Sequence, residues 1–321
     1  MLAAYADTIS SDDPVSGLVV GNRPDPQPRD GWTTVTVKAA ALNHHDLWTL
    51  RGVGIRAEQL PMILGGDAAG IDEDGNEVVV HSVITSPGWT GDDTLDPKRS
   101  LLSEVYDGTL AEKVLVPGRN LVAKPASLTF EQAACLPTAW LTAYRMLFVK
   151  ANLAPGSTVL IQGAGGGVST ASIALGKAAG LRVWVTGRSE AKREAALALG
   201  ADQVFESGAR LPERVDAVID NVGQATWAHS LKSLRPGGAI VTCGATSGPN
   251  PASDLNRVFF LQLQVLGSTM GTRDELEQLL ALLDTTGVRP QIDSVLPLAD
   301  AESGLKKLAA GDVQGKIVLV P

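Results

Sequence analysis

Residues 157–180 read STVLIQGAGGGVSTASIALGKAAG, and this run decides the fold. A short, β-branched apolar stretch leads into a cluster in which Gly163, Gly165, Gly166 and Gly167 surround one alanine. An amphipathic helix pattern follows until Gly180 stops it. The glycines let the backbone turn tightly and approach a pyrophosphate, while the amides opening the helix at Val168 present the positive end of the macrodipole to it. Glycine-rich turns also occur in loops that bind nothing. Here a strand precedes the cluster, a helix follows, and a second apolar strand runs over 181–186, which together make a βαβ dinucleotide unit.

The end of that second strand reads on the adenosine half of the ligand. Sites that prefer NAD place an Asp or Glu there to accept from the ribose 2′-hydroxyl. In VWVTGRSEAKRE, residues 183–194, Gly187 takes that place and leaves room for a 2′-phosphate. Arg188, Ser189 and Lys192 offer a planar cation, a hydroxyl and a point charge around it. As ordinary solvated charges, Arg188 and Lys192 would oppose the dipole of the helix they open. Cations in that position argue for an anionic partner, and the expected cofactor is NADPH.

A chain of 321 residues with 44% hydrophobic content is long for one core and comfortable for two domains. The net charge of −8 argues against nucleic acid or an anionic membrane as partner and leaves small molecules. The longest uncharged run, 151–176, is broken by Pro155 and the glycine cluster and cannot span a bilayer. No basic-then-apolar leader precedes residues 2–5, so the expected location is cytoplasmic. Cys135 and Cys243 stand far apart in apolar surroundings and read as buried free thiols.

From 33 to 122 the pattern is β in character, with strand-like runs at 33–43 and 77–84. Pro87 and Gly88 begin a hydrophilic surface loop reaching 106. From 157 onward strands and helices alternate: helix 190–199, strand 215–220, helix 225–234, strand 239–243. That alternation predicts a doubly wound parallel sheet in an α/β fold. A leucine-rich helix at 275–283, a strand at 292–296, a helix at 301–308 and a last strand at 316–320 rejoin the first half.

Six further segments, in this order, extend the reading: ALNHHDLW (41–48), PMILGGDAAG (61–70), DGTLAEKVLVP (107–117), LPTAWLTAY (136–144), GATSG (244–248) and GKIVLVP (315–321). With the glycine cluster they resemble the medium-chain dehydrogenase/reductase superfamily, specifically its zinc-less quinone oxidoreductase-like branch. The resemblance implies a mostly-β GroES-like catalytic domain from 1–124 and 270–321, and a Rossmann NADPH-binding domain from 125–269. It also implies a homodimer joined through sheet edges, with 258–266 readable as core or as interface.

Where zinc relatives carry a Cys, a His and a Cys or acid, this chain has Asn43, Gly66 and Thr138. Catalytic zinc needs about three N, S or O donors, and no metal is expected. Residues 82–103 contain no cysteine for a second, structural zinc. Without a Lewis acid, the hydride acceptor must spread the incoming charge itself, as a quinone or an α,β-unsaturated carbonyl does. The expected catalytic residues are Asn43, His45, Trp48 and Arg51. Asn43 would donate to the developing enolate oxygen, His45 relay a proton or else stand as a surface or supporting histidine, Trp48 wall the pocket, and Arg51 bind an acidic group or sit solvated at the rim. The resemblance puts His44 towards the pyrophosphate. It puts Thr138, Asn221, Val222, Cys243, Gly244, Ala245, Ser268 and Met270 around the nicotinamide half, though Cys243 reads equally as a core thiol. Ser169 stands where the family has a further glycine, and Lys316 reads as a solvated charge outside the site. The expected activity is NADPH-dependent reduction of quinones or α,β-unsaturated carbonyls in a cleft between the domains. A zinc alcohol dehydrogenase with atypical ligands and a non-catalytic NADPH-binding protein stand as alternatives.

Overall fold

A computed structural model describes residues 1–321. Its internal contacts divide the chain into two compact units, Met1–Leu141 with Met270–Pro321, and Thr142–Thr269. The sequence expectation put the first junction at 124/125. The structure moves it later because the helix Phe130–Ala134, capped by Thr129, packs on strands Trp32–Ala41 and Asp67–Ile71 of the first unit.

The second unit is built on six parallel strands. Their order is Gln203–Glu206, Arg182–Gly187, Thr158–Gln162, Val215–Asp220, Leu234–Thr242, Gln264–Gly267. This is the 3-2-1-4-5-6 order of a dinucleotide-binding sheet, whose ligands sit outside the carboxyl ends where the order reverses. Thr158–Gln162 is buried along its whole length, as a strand covered on both faces must be. Leu160, Trp184, Val218 and Ile240 form the core beneath it. The expected strand 215–220 is found at those bounds, whereas 239–243 proves to be the end of the longer Leu234–Thr242.

The first unit carries a seven-stranded sheet in which Lys316–Val320 runs between Trp32–Ala41, antiparallel, and Ile292–Pro297, parallel. A three-stranded sheet joins Leu18–Asn22, Leu2–Ala6 and Met62–Ile63. Val35, Leu42, Leu64, Ala68, Leu305, Ile317 and Leu319 share one core. The strand expected over 77–84 is broken into Glu77–Val80 and Val83–Ile84. Between the pieces, the Asn120 side-chain amide donates to the carbonyls of His81 and Val83 at 2.7 and 2.8 Å, replacing ladder bonds. The loop expected over 87–106 is organised by its own bonds: Ser100–Leu101 pairs with Val83–Ile84, and Asp96 accepts from Ser86 N at 2.6 Å.

Candidate active site

In the second unit, Thr158–Gln162 ends at Gly163, whose φ of +86° is the left-handed backbone this turn requires. The helix Gly167–Ala178, twelve residues long, starts from Gly166, which brings no side chain to cap it. A Cβ on Gly166 would meet nothing within 4 Å. The opening amides therefore have no capping acceptor and an open approach, the arrangement that receives a pyrophosphate. Ser169 is buried and accommodated without displacing the turn, its Oγ 3.8 Å from where a Cβ on Gly163 would sit.

Gly187 closes the strand Arg182–Gly187 as expected, but its surroundings were not legible in the sequence. A Cβ there would lie 3.0 Å from Cγ of Arg193 and 3.1 Å from Cβ of Ala164. Arg193 donates from Nη1 to the carbonyl of Gly187 at 2.8 Å and pairs with Glu206 at 3.7 Å. It is a third cation beside Arg188 and Lys192, overlooked because it lies farther along the helix Glu190–Ala198 and its return to Gly187 is a tertiary event. Ser189 caps that helix, accepting from Lys192 N at 3.4 Å. Arg188 is fully on the surface.

Beyond Val215–Asp220, the loop of Asn221 and Val222 is tied to the GATSG segment: Ser247 donates from N and Oγ to the Val222 carbonyl at 2.8 and 2.7 Å. Cys135 is buried as expected, whereas Cys243 is half-buried; desolvation, and secondarily the charge of Asp220, push the Cys243 thiol up to about 12. It stays protonated, so any contribution from Cys243, Gly244 and Ala245 is through the backbone. Ser268 N donates to the Thr242 carbonyl at 2.8 Å, and its Oγ is buried without a protein partner. These features fit a bound dinucleotide. Met270, in the first unit, is buried with a left-handed φ of +49°.

In the first unit the helix His44–Leu50 starts from Asn43, and Asp46 Oδ2 accepts from Asn43 N at 2.8 Å. Lys316 is not solvated. It is 2% exposed, and its ammonium donates to Asn43 Oδ1 at 2.6 Å, to the Leu42 carbonyl at 2.8 Å and to Asp67 Oδ2 at 3.0 Å. Asn43 Nδ2 spends its hydrogens on Asp67 Oδ2 at 2.8 Å and the Ala41 carbonyl at 3.2 Å. Asn43 therefore has no donor left for a substrate oxygen, contrary to the sequence expectation. Thr138 Oγ1 and Ser82 flank Gly66 at ordinary contact distance, 3.5 and 3.6 Å from a Cβ there. No three His, Cys, Asp or Glu side chains in the chain converge to hold a metal ion.

Of the two readings of His45, the bonds of its ring favour the supporting one. Its Nε2 meets Glu104 Oε1 at 3.1 Å and its Nδ1 meets Ser103 Oγ at 3.4 Å. Burial works against the charged ring, but the bond to Glu104 and the charges of Asp46, Glu104 and Asp67 overcome it and raise the pKa. Both ring nitrogens thus fasten the 100–106 segment rather than reach for substrate. The neighbouring protein around the His44 ring, followed by the charges of Lys316 and Arg51, holds it below the usual imidazole value. Arg51 lies over the half-buried ring of Trp48 at 4.9 Å, a cation–π contact. A separate polar hollow of about 670 Å³ is lined by Trp89, Asp93, Arg119 and Arg273 and contains none of the expected residues.

A family model described as alcohol dehydrogenase GroES-like domain matches residues 29–126, and one described as zinc-binding dehydrogenase matches 167–285. An acryloyl-coenzyme A reductase of Metallosphaera sedula is 32% identical over 94% of this chain and 96% of its own length. The chain belongs to the medium-chain dehydrogenase/reductase superfamily. Among solved superfamily structures, an NAD-dependent alcohol dehydrogenase superposes with a TM-score of 0.91 at 34% identity, each chain covered in full. A 2-octenoyl-CoA carboxylase reductase in complex with NADP and 2-octenoyl-CoA gives 0.91 at 25% identity, covering 99% of this chain and 87% of that one. Superfamily neighbours thus include enzymes named for alcohols and for unsaturated thioesters, so this chain's own residues must discriminate.

Proposed function

We propose that this chain uses NADPH to reduce a carbon–carbon double bond conjugated to a carbonyl, without a metal ion. The observation that carries the reading is the ammonium of Lys316 bonded to Asn43 and Asp67, where a metal-dependent reaction would need thiolate or imidazole donors. The cofactor supplies the hydride. For NADPH over NADH the support is Gly187 in the acid's place with Arg188, Lys192 and Arg193 clustered after it. The 2-octenoyl-CoA carboxylase reductase, solved with NADP, is consistent with that choice.

Within the chain, the glycine turn and opening amides of Gly167–Ala178 hold the pyrophosphate, and Ser268 and the Asn221–Val222 loop bound the nicotinamide half. Trp48 and Arg51 offer a flat wall and a cation to the acceptor. Because Asn43 and His45 are engaged, an acceptor that delocalises its own negative charge is required. Unsaturated thioesters lead this class, since the Metallosphaera sedula relative is named for one. Enones, enals and 1,4-quinones share the electronic demand. The homodimer is proposed to form through the edge strand Gln264–Gly267 and its neighbouring helix Leu255–Phe260. There Leu255, Phe259 and Phe260 are 69, 67 and 80% exposed. No helix is long and apolar enough to cross a membrane, and the two unpaired cysteines agree with the reducing cytoplasm proposed as its location.

The test follows NADPH absorbance with crotonyl-CoA, 2-enones, 2-enals, 1,4-quinones and saturated ketones, alongside metal analysis. Turnover confined to conjugated acceptors in zinc-free protein is expected. Stoichiometric zinc with saturated alcohols as best substrates sinks the reading, and tight NADPH binding with no turnover on any acceptor would favour a non-catalytic protein.

A further inference from the structure

In three adjacent strands of the parallel sheet, a polar residue directly precedes each glycine or loop assigned to the dinucleotide. Gln162 precedes Gly163, Thr186 precedes Gly187, and Asp220 precedes Asn221. Gln162 and Asp220 are the last residues of their strands and Thr186 the last but one, and all three side chains have no exposure, at positions where a parallel sheet ordinarily carries apolar ones. Their hydrogen bonds run in a single direction. The amide of Gly163 donates to Thr186 Oγ1 at 3.5 Å, and that hydroxyl donates to Gln162 Oε1 at 2.6 Å. Gln162 Nε2 then donates to Ser230 Oγ at 3.0 Å, which donates to Asp220 Oδ2 at 2.7 Å. The second hydrogen of Nε2 goes to His229 Nδ1 at 2.9 Å, whose Nε2 donates in turn to the Ala209 carbonyl at 2.8 Å. That pairing fixes both the amide orientation and the imidazole tautomer. At the far end, Asp220 Oδ1 accepts from the amides of Val222 and Gly223 at 2.9 and 3.0 Å.

We infer that the chain Thr186–Gln162–Ser230–Asp220 is a positioning network that holds the pyrophosphate turn, the adenosine turn and the nicotinamide-side loop in one register. A fully connected chain terminating on a carboxylate is polarised along its length, and a break at any link leaves buried donors or acceptors unpaired. The three turns lie far apart in sequence. Aligned in advance, they receive an extended dinucleotide without ordering cost, so the network acts on affinity for the cofactor more than on the hydride step. The inference rests on the dinucleotide reading of the site.

The experiment compares Thr186→Val, Thr186→Ser, Gln162→Leu and the Thr186→Val/Gln162→Leu double variant. Readouts are NADPH dissociation constant by fluorescence quenching, kcat at saturating NADPH, and thermal midpoint. Thr186→Val is near-isosteric and removes only the hydroxyl, so it remains informative should Gln162→Leu fail to fold. Expected are dissociation constants about tenfold higher for each single variant, a double variant no worse than the weaker single one, kcat within about twofold, and near-wild-type affinity for Thr186→Ser. Affinities within about twofold of wild type in Thr186→Val overturn the inference, as does a thermal loss unaccompanied by any change in affinity. Wild-type protein that binds neither NADPH nor NADH overturns the dinucleotide reading itself.

Discussion

Asp67 has no exposure, and the single charge that answers it comes from Lys316, 249 positions along the chain. Removing one member of such a pair leaves an uncompensated buried charge. Lys316→Met should therefore destabilise the protein by about 3–5 kcal/mol in urea titrations, and adding Asp67→Asn should recover much of that loss. An additive double variant would show that the pair is not coupled. The sequence offered no sign of this burial: a lysine before a final strand is ordinarily solvated, and only the fold brings it to Asn43. The same holds for His45, whose ring nitrogens were free to be assigned to substrate until Glu104 and Ser103 came within reach. Beside them Asp46 has no exposure and one oxygen without a partner, and burial raises its pKa to about 6 from an ordinary 3.8. With the folded value above the unfolded one, the native state binds the extra proton in that interval, so stability is lost as pH rises from 4 to 6. Asp46→Asn should gain stability relative to wild type by roughly 3 kcal/mol between pH 4 and 7. A difference that does not vary with pH would contradict the raised pKa.

The turn-and-helix units are where the sequence spoke most plainly. Glycine spacing, the β-branched run before it and Gly180 after it are local properties, and they placed the strand and helix of the cofactor turn to within a residue. The helix Glu190–Ala198 was equally legible, yet Arg193 was not, because its contact with Gly187 depends on how the helix folds back on the preceding strand. Gly187→Asp with Arg188→Ala should reverse the NADPH over NADH preference in steady-state kinetics. Arg193→Ala alone should weaken it, by about tenfold for one lost charge-assisted contact. An unchanged ratio in both variants would refute the phosphate pocket. The new side chain can be housed only if the stem of Arg193 and the Cβ of Ala164 both give by a few tenths of an ångström. Strands were less legible than helices at their ends. The break between Glu77–Val80 and Val83–Ile84 is made by Asn120, a residue no local pattern links to it.

Composition and alternation were enough to foresee an all-β first half and a doubly wound second half, and the strand order of the parallel sheet agrees with that reading. Surface use was harder, since 258–266 is apolar whether it is core or interface. The structure leaves Phe259 and Phe260 largely exposed beside an edge strand. Phe260→Glu should accordingly yield a monomer by light scattering while retaining NADPH binding, and a wild-type protein already monomeric at micromolar concentration would exclude the proposed dimer. The central position of Lys316–Val320 has a consequence for biosynthesis. Residues 142–269 form a unit contiguous in sequence and can close as they leave the ribosome, but the sheet begun by Trp32–Ala41 lacks an interior strand until residues 316–320 have been made. A nascent chain must therefore carry its first 141 residues unfinished past a completed unit, and a chain cut short before Lys316 has an Asp67 with no counter-ion.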